Sequence, residues 1–145
     1  MATIRRQRLL PYTCHQIFDL VADIESYPHF VPHYEDARIV HEGDGHRVVD
    51  QTLAVSGVRL RVRTGAELQR PSRIRVHGRH WPLRHLDAHW QFDPVPSGCQ
   101  TDYTMSVALA VPFLGWLGQP WSARAATRTL AAFEAEARRR YGPGE

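Results

Sequence analysis

Two pairs of histidines stand four residues apart, a spacing at which one face of a helix could offer both imidazoles to a metal ion. The pairs are His29 with His33 and His85 with His89. Pro32 interrupts the first pair, and the second pair lies in an alternating run that predicts a strand. No cysteine or carboxylate completes either pair at normal ligand spacing. The sequence therefore predicts no metal site.

Isolated polar residues in apolar surroundings are the remaining candidates for chemistry. His80 precedes Trp81 and is expected to point inward, where its imidazole could hydrogen-bond an oxygen of a bound molecule. A histidine that bonds to the backbone is an equal alternative, and Tyr103 and His41 leave the same two interpretations open. The chain has no Ser-His-Asp order, no glycine-rich phosphate loop and no pair of inward carboxylates. We therefore predict no catalytic residues.

Arginine supplies all 18 basic residues, and the formal net charge is +3. Some of these arginines alternate with apolar residues on predicted strands and should share one outward face: Arg59, Arg61, Arg63, Arg73 and Arg75. Guanidinium groups bind phosphate bidentately, so this face could contact RNA or anionic lipid. The alternative is a solvated outer face, and the net charge does not separate the two interpretations.

The elements that position these residues begin with a strand over residues 3–10. Thr13 and Gln16 form a capping box, in which the hydroxyl and the amide satisfy the first backbone N–H groups of a helix. We expect this helix to continue to about Ile24. Residues 27–32 combine prolines with aromatics, which predicts a turn, and a short helical turn is expected to begin at Glu25.

From residue 34 to residue 111 the apolar period is two, which predicts antiparallel strands with one covered face. Turns containing glycine or proline divide this stretch, so that the sheet has about seven strands with the first included. The cover is a helix that begins with Pro120 and ends before Gly142. Its apolar stripe recurs at helical spacing: Ala126, Leu130, Phe133, Ala137 and Tyr141. We predict one domain over residues 1–145.

The composition, at 43% hydrophobic and 23% charged, is that of an ordinary globular protein. Cys14 and Cys99 are not in a C-x-x-C pair and are predicted to be reduced thiols. No apolar run approaches the roughly 18 residues of a membrane span, and residues 1–10 alternate arginine with apolar residues, unlike a signal peptide. We expect a cytoplasmic protein, with a peripheral position at the inner face of the membrane as the alternative.

Several blocks of the sequence point to a known family. The opening blocks are Leu-Pro-Tyr at residues 10–12, Ile-Phe-Asp-Leu-Val-Ala-Asp at 17–23 and Tyr-Pro-His-Phe-Val-Pro at 27–32. The later blocks are residues 82–92 and 132–142. Together they resemble the coenzyme Q-binding START-like family of the polyketide cyclase/dehydrase superfamily, which includes the bacterial ribosome-association toxin. The resemblance implies an α+β helix-grip fold. In that fold a curved antiparallel sheet of about seven strands wraps a long C-terminal helix, and two short helices follow strand 1.

The resemblance also implies a cavity between the sheet and the long helix, holding ubiquinone or another lipid without a required cofactor. Small side chains face the sheet there, at Ala123, Ala125 and Ala126. The predicted cavity lining consists of these residues: Phe30, Val62, Val76, His80, Trp81, Leu83, Leu86, Trp90, Tyr103, Met105, Trp116, Leu117, Trp121, Ala126 and Leu130. Where the family usually has Gly-Pro-Phe, this chain has Trp-Pro-Leu at 81–83, and the indole could reshape the pocket mouth. Residues 113–117 form an apolar loop, interpreted either as a lid or as a membrane contact.

Three functions remain open at this stage. The first is a non-catalytic carrier or chaperone of an isoprenoid quinone that supports respiration or quinone synthesis. The second is a regulator of translation that binds the ribosome through the outward arginines, and the third is a polyketide cyclase or aromatase. The expected partners are a hydrophobic small molecule, with the membrane surface or the ribosome as alternatives, and no DNA.

Overall fold

The computed structural model describes residues 2–55, 57–81, 83–109 and 118–144. Its elements follow the predicted order of strand, two short helices, six strands and long helix. They are β1 (Ala2–Leu10), α1 (Cys14–Ala22), the 3-10 helix α2 (Ile24–His29), β2 (Tyr34–Gly43), β3 (His46–Val55), β4 (Val58–Gln69), β5 (Arg73–Gly78), β6 (Leu83–Val95), β7 (Gly98–Leu109) and α3 (Gly118–Tyr141). Within these ranges no helix is both long and apolar enough to cross a membrane.

The strands form one antiparallel sheet in the order β1-β7-β6-β5-β4-β3-β2. Every strand after β2 pairs with its predecessor along the chain, and β1 pairs with β7. The first two strands of the chain, β1 and β2, are therefore the two edges of the sheet. The helix α3 packs mainly against β1, β7 and α1. This is the predicted helix-grip fold, a curved sheet with a long C-terminal helix against it.

The start of α1 is the capping box that the sequence predicts. Thr13 Oγ1 accepts a hydrogen bond from Gln16 N over 3.1 Å, and Gln16 Oε1 accepts one from Thr13 N over 3.0 Å. The helix is two residues shorter than expected, because Asp23 leaves the helical conformation with ψ of 62°. α3 begins two residues earlier than expected, so Pro120 is its third residue, where a missing N–H still costs no helical hydrogen bond.

The main hydrophobic core lies between α1, α3 and strands β5 to β7. Trp90 is at its centre, with ring centroids 4.4 Å from Tyr103 and 5.3 Å from Phe133. The predicted stripe of α3 supplies the other side of this core, since Ala126, Leu130, Phe133 and Ala137 are all buried. Trp90 and Phe133 meet edge to face, an arrangement that adds to the free energy of burial.

Both cysteines are buried, and they are free thiols in the structure. Their Sγ atoms are 3.0 Å apart, and Cys99 Sγ is also 3.6 Å from Thr101 Oγ1. Burial raises the pKa of the Cys99 thiol to about 12. The thiol of Cys99 is therefore protonated at neutral pH and behaves as a small apolar core group.

Candidate ligand-binding site

The inner face of β3 and β4 is buried but lies outside the main core. Strand alternation turns Val49, Leu60 and Val62 inward, and these side chains are 3%, 7% and 4% exposed. None of them belongs to the contiguous core described above. Among the described residues, the closest packing of α3 is with β1, β7 and α1 rather than with this face. An apolar face with few polar groups has the composition of a ligand-pocket lining.

A polar pair interrupts this apolar surface. The β3–β4 register places Gln51 opposite Val62 and Thr64 opposite Val49, so both polar side chains point to the inner face. Gln51 Nε2 donates a hydrogen bond to Thr64 Oγ1 over 2.8 Å. Gln51 is 7% exposed and Thr64 is 2% exposed. Because buried polar groups are costly in apolar surroundings, this pair is the feature of the inner face that could recognise a polar atom.

Two tyrosines add hydroxyl groups to the interior. Tyr103 Oη donates to Met105 Sδ over 3.2 Å, and the ring of Tyr34 packs edge-on against Tyr27 at 5.2 Å between centroids. Burial raises the pKa of Tyr103 well above its usual value and that of Tyr34 to about 12. Both phenols are therefore protonated at neutral pH, so they can donate hydrogen bonds but do not act as bases.

The predicted cavity residues that the structure describes fall into distinct groups. Four belong to the buried core: Trp90, Tyr103, Ala126 and Leu130. Three are half-buried and pack against that core: Phe30, Val76 and Met105. Three more lie on the sheet outside the core, two of them buried and the last half-buried: Val62, Leu83 and Leu86. The sequence thus identified the inner face, and the structure divides it into a packed region and a separate buried region.

The predicted inward position of His80 is wrong. β5 ends at Gly78, and His80 and Trp81 lie in the turn before β6, where Leu83 N donates to His80 O over 2.8 Å. His80 is exposed, and Trp81 is 75% exposed. The alternation that predicted an inward imidazole does not continue through a turn. His80 is therefore not placed to contact a molecule bound on the inner face of β3 and β4.

Some of the predicted positions lie beyond the described part of the chain. Trp116, Leu117 and the whole loop 113–117 are outside the described residues. Trp121 is part of α3, but its side chain is outside them. His41 lies on β2 and is exposed. The two interpretations of the loop, lid or membrane contact, therefore stay predictions.

The outward arginines share the convex face of the sheet, and all five are exposed. Three of them form ion pairs with acids on other strands of the sheet: Arg59 with Glu35 at 2.8 Å, Arg63 with Asp50 at 2.6 Å and Arg75 with Asp87 at 3.2 Å. The Arg63 hydrogen bonds lower the pKa of Asp50. Among the described residues, Arg61 and Arg73 have no ion-pair partner. The face is therefore largely charge-balanced, and two guanidinium groups remain available to an anionic partner.

A concavity of about 410 Å³ opens between the end of α1 and strands β2 to β4. Its lining combines apolar side chains with charged ones. Arg70 binds Asp19 through two hydrogen bonds of 2.8 and 2.9 Å, and Arg47 binds Glu42 at 2.6 Å. Because these charged groups are already paired, they offer few free groups to a ligand.

Gln51 and Thr64 are the site residues that sequence reasoning did not select. The alternating pattern predicts an inward position for each of them. Gln51 lies between Val49 and Leu53 in the inward series of β3, and Thr64 lies in the inward series from Leu60 to Ala66 on β4. A polar residue at an inward position of an otherwise apolar strand is the signal that could have identified them. Their mutual contact depends on strand register, which the sequence does not reveal.

Sequence comparison places the chain beside proteins of known families. The family described as polyketide cyclase / dehydrase and lipid transport matches residues 10–134. A protein of Pseudomonas aeruginosa named "Ribosome association toxin RatA" is 27% identical over 140 residues, which are 96% of this chain and 97% of that protein.

Two solved structures are similar over almost the whole chain. The solution structure of an 18 kDa protein from Caulobacter crescentus has a TM-score of 0.78 and 26% identity, covering 98% of this chain and 99% of that one. The crystal structure of the Zhui aromatase/cyclase from Streptomyces sp. R1128 has a TM-score of 0.78 and 18% identity, covering 99% of both chains. The second likeness concerns the fold alone.

Proposed function

Because this chain belongs to the polyketide cyclase / dehydrase and lipid transport family, we propose that it binds a hydrophobic small molecule on the inner face of its sheet. The ligand we propose is an isoprenoid quinone of the ubiquinone type, held by a non-catalytic carrier that supports respiration or quinone synthesis. The observation on which this rests is the shielded apolar face of β3 and β4, which lies outside the main core.

The dimensions of this face suit a linear apolar ligand. Leu60, Val62, Thr64 and Ala66 follow one another at two-residue intervals along the inner side of β4, and each is buried. These four positions span about 20 Å at the usual rise of a strand, about 3.3 Å per residue. Burying an isoprenoid chain against this surface contributes binding free energy in proportion to the apolar area removed from water.

The buried polar groups favour a carrier over an acid–base enzyme. Among the described residues, the buried side chains that carry an amide, an aliphatic hydroxyl or a carboxylate are Gln51, Thr64, Thr101 and Glu136. Glu136 is the carboxylate among them, and its hydrogen bonds with Arg139 and Arg140 near the end of α3 hold its pKa at about 2. This carboxylate is charged and engaged at neutral pH, so it does not supply the general base that a cyclisation needs.

Mass spectrometry of an organic extract tests the proposal. The purified, untagged protein should release one isoprenoid quinone per chain, whereas a mock purification should release none. Val62→Phe fills the site and should reduce bound quinone at least tenfold. The matched control Val40→Phe, at a side chain 39% exposed on β2, should leave binding unchanged. A clean extract together with no binding of added quinone in detergent would contradict the proposal.

A carrier of this kind is expected to meet its ligand at the inner face of the membrane, because isoprenoid quinones partition into the bilayer. We propose a peripheral contact there rather than a membrane span. Flotation with anionic vesicles, with and without quinone, measures this contact. Quinone-dependent flotation supports a membrane-loading carrier, and an absence of flotation under both conditions argues for loading from another protein.

A second candidate function follows from the named relatives. The Pseudomonas aeruginosa protein similar to this chain is called a ribosome association toxin, and the convex face leaves Arg61 and Arg73 without ion-pair partners among the described residues. We therefore propose, as the alternative, that this face contacts ribosomal RNA phosphates. Such contacts are salt-dependent because each one releases counterions from the nucleic acid.

Co-sedimentation with ribosomal subunits over a range of salt concentrations tests this alternative. Arg61→Glu combined with Arg73→Glu should abolish the binding and flatten its salt dependence. Arg124→Glu combined with Arg128→Glu, an equal charge change on the exposed side of α3, is the matched control. If the control weakens binding as much as the double variant does, the attraction reflects net charge rather than this face.

A further inference from the structure

The hydrogen-bonding capacity of the Gln51–Thr64 pair is only partly used. The Gln51 amide has two N–H groups and a carbonyl oxygen, and the Thr64 hydroxyl has one hydrogen to donate. One N–H of Gln51 is bonded to Thr64 Oγ1 at 2.8 Å. Within the described part of the chain, the second N–H, the Oε1 atom of Gln51 and the Thr64 hydroxyl hydrogen have no partner. The pair therefore has two donors and an acceptor to spare while being more than nine-tenths buried.

The described residues around Gln51 and Thr64 are apolar and do not explain why polar side chains occupy these two positions. Its inward neighbours on the same strands are Val49, Leu60, Val62 and Ala66, all buried and apolar. Gly78 of β5 approaches the methyl group of Thr64, so that an added Cβ would come within 3.3 Å of Thr64 Cγ2. That contact packs the methyl group and leaves the hydroxyl to Gln51. Valine and leucine would fill these two positions without an unsatisfied polar atom.

We infer that Gln51 and Thr64 recognise the oxygen-bearing end of the bound ligand. This inference rests on the proposed function and adds to it the atoms that select the ligand. The free N–H of Gln51 and the Thr64 hydroxyl donate to a carbonyl oxygen, as in a quinone. Gln51 Oε1 accepts from a hydroxyl group, as in the reduced quinol. The pair therefore accommodates both oxidation states and discriminates against an isoprenoid hydrocarbon that has no oxygen.

The other interior hydroxyl and thiol groups are less suited to this role. Tyr103 Oη already donates to Met105 Sδ at 3.2 Å. Thr101 Oγ1 is 3.6 Å from Cys99 Sγ, deep in the core beside the cysteine pair. The unused donors and acceptor of Gln51 and Thr64 instead lie within the shielded apolar face that we propose as the binding site. A ligand oxygen there would supply the partners that the pair lacks among the described residues.

The test compares two ligands on the full-length protein. The first is a short-chain ubiquinone, and the second is an isoprenoid hydrocarbon of similar length without oxygen. Binding is measured by quenching of tryptophan fluorescence or by calorimetry. Gln51→Leu and Thr64→Val should each weaken ubiquinone binding about 3- to 10-fold, the range expected for one hydrogen bond, and should change hydrocarbon binding less than 2-fold. Thr101→Val, a buried threonine of β7, is the matched control and should change neither affinity.

Thermal unfolding without ligand gives an independent readout. The double variant Gln51→Leu/Thr64→Val should unfold at the wild-type temperature or a few degrees above it, because it removes buried groups that lack partners. A drop of more than about 5 °C would mean that the pair is a structural hydrogen bond, and it would overturn the inference.

The outcomes separate the inference from the proposed function. If the wild-type protein binds neither ligand, the proposed function fails. If it binds both, and the variants lose ubiquinone and hydrocarbon equally, the pair shapes the site without recognising oxygen. Unchanged ubiquinone binding in both single variants would likewise overturn the inference, although the carrier proposal would stand. If the variants lose affinity for ubiquinone but keep their affinity for the hydrocarbon, the result supports both the inference and the proposed function.

Discussion

Replacing Glu136 by glutamine should destabilise the protein at neutral pH and have progressively less effect as the pH falls. Glu136 lies near the end of α3, is 7% exposed and accepts hydrogen bonds from Arg139 at 2.8 and 2.6 Å and from Arg140 at 2.8 Å. Arg140 also pairs with Asp23 at 3.0 Å, which connects the helix to the end of α1. The carboxylate is therefore the shared acceptor of a small network between two helices.

The magnitude follows from the pKa of this carboxylate. Its hydrogen bonds with Arg139, and then with Arg140, lower the pKa from 4.5 to about 2. Because the folded pKa is below the unfolded one, the contribution to stability is complete above pH 4.5 and is lost as the pH falls toward 2. This pKa difference between the unfolded and the folded protein corresponds to at most about 3 kcal/mol of stability. Solvent screens the pair, since the Arg139 side chain is 70% exposed, so we expect about 1–2 kcal/mol.

Thermal unfolding followed by circular dichroism at pH 7, 5 and 3 measures this effect. Glu136→Gln should lower the melting temperature by about 3–8 °C at pH 7, and the difference from wild type should shrink to less than about half that at pH 3. Glu134→Gln is the matched control, because this carboxylate pairs with Arg8 at 3.2 Å with its side chain 41% exposed. The control should change the melting temperature by less than about 2 °C. If Glu136→Gln lowers the melting temperature equally at pH 7 and at pH 3, the electrostatic reasoning is refuted.

Three further predictions concern the framework that supports the site. Thr13→Ala removes the hydroxyl that accepts from Gln16 N and should lower stability by about 1 kcal/mol, whereas Thr13→Ser should retain most of it. Phe92→Ala removes a ring that is 1% exposed and should cost about 3–5 kcal/mol by urea denaturation. A cost below about 1 kcal/mol would mean that this part of the core collapses readily around the gap. Gly98→Ala should destabilise the protein, because the added Cβ would collide with the Leu10 carbonyl oxygen and φ is +148°. An unchanged melting temperature for that variant would show that β1 shifts away from β7 at little cost.

The elements of the fold were predictable because their signals are local. Alternation along β4 turns Leu60 and Val62 inward and the intervening arginines outward, and the structure shows this division. The capping box at Thr13 and the spacing of Ala126, Leu130 and Phe133 depend only on residues within a few positions of one another. Backbone geometry makes such patterns reliable, since a strand alternates at every residue and a helix repeats every 3.6.

The site was only partly predictable, because its key contact is not local. Thr64 is 13 positions from Gln51 along the chain, and they meet only through the β3–β4 register. A shift of one residue in that register would have turned one of the two side chains to the opposite face. The prediction for His80 failed for a different reason. It assumed that the strand alternation continues beyond Gly78, but β5 ends there.

By itself the sequence determined the order of the elements, the inward and outward faces of the strands and the family to which the chain belongs. Tertiary structure decided which inward residues pack into the core and which line a separate buried face. It also decided that Asp50, Glu35 and Asp87 neutralise three of the five outward arginines. The physical reason is that hydrogen-bond patterns and apolar periodicity are properties of short segments. Burial, ion pairing and the joining of two polar side chains depend on how distant segments align in space.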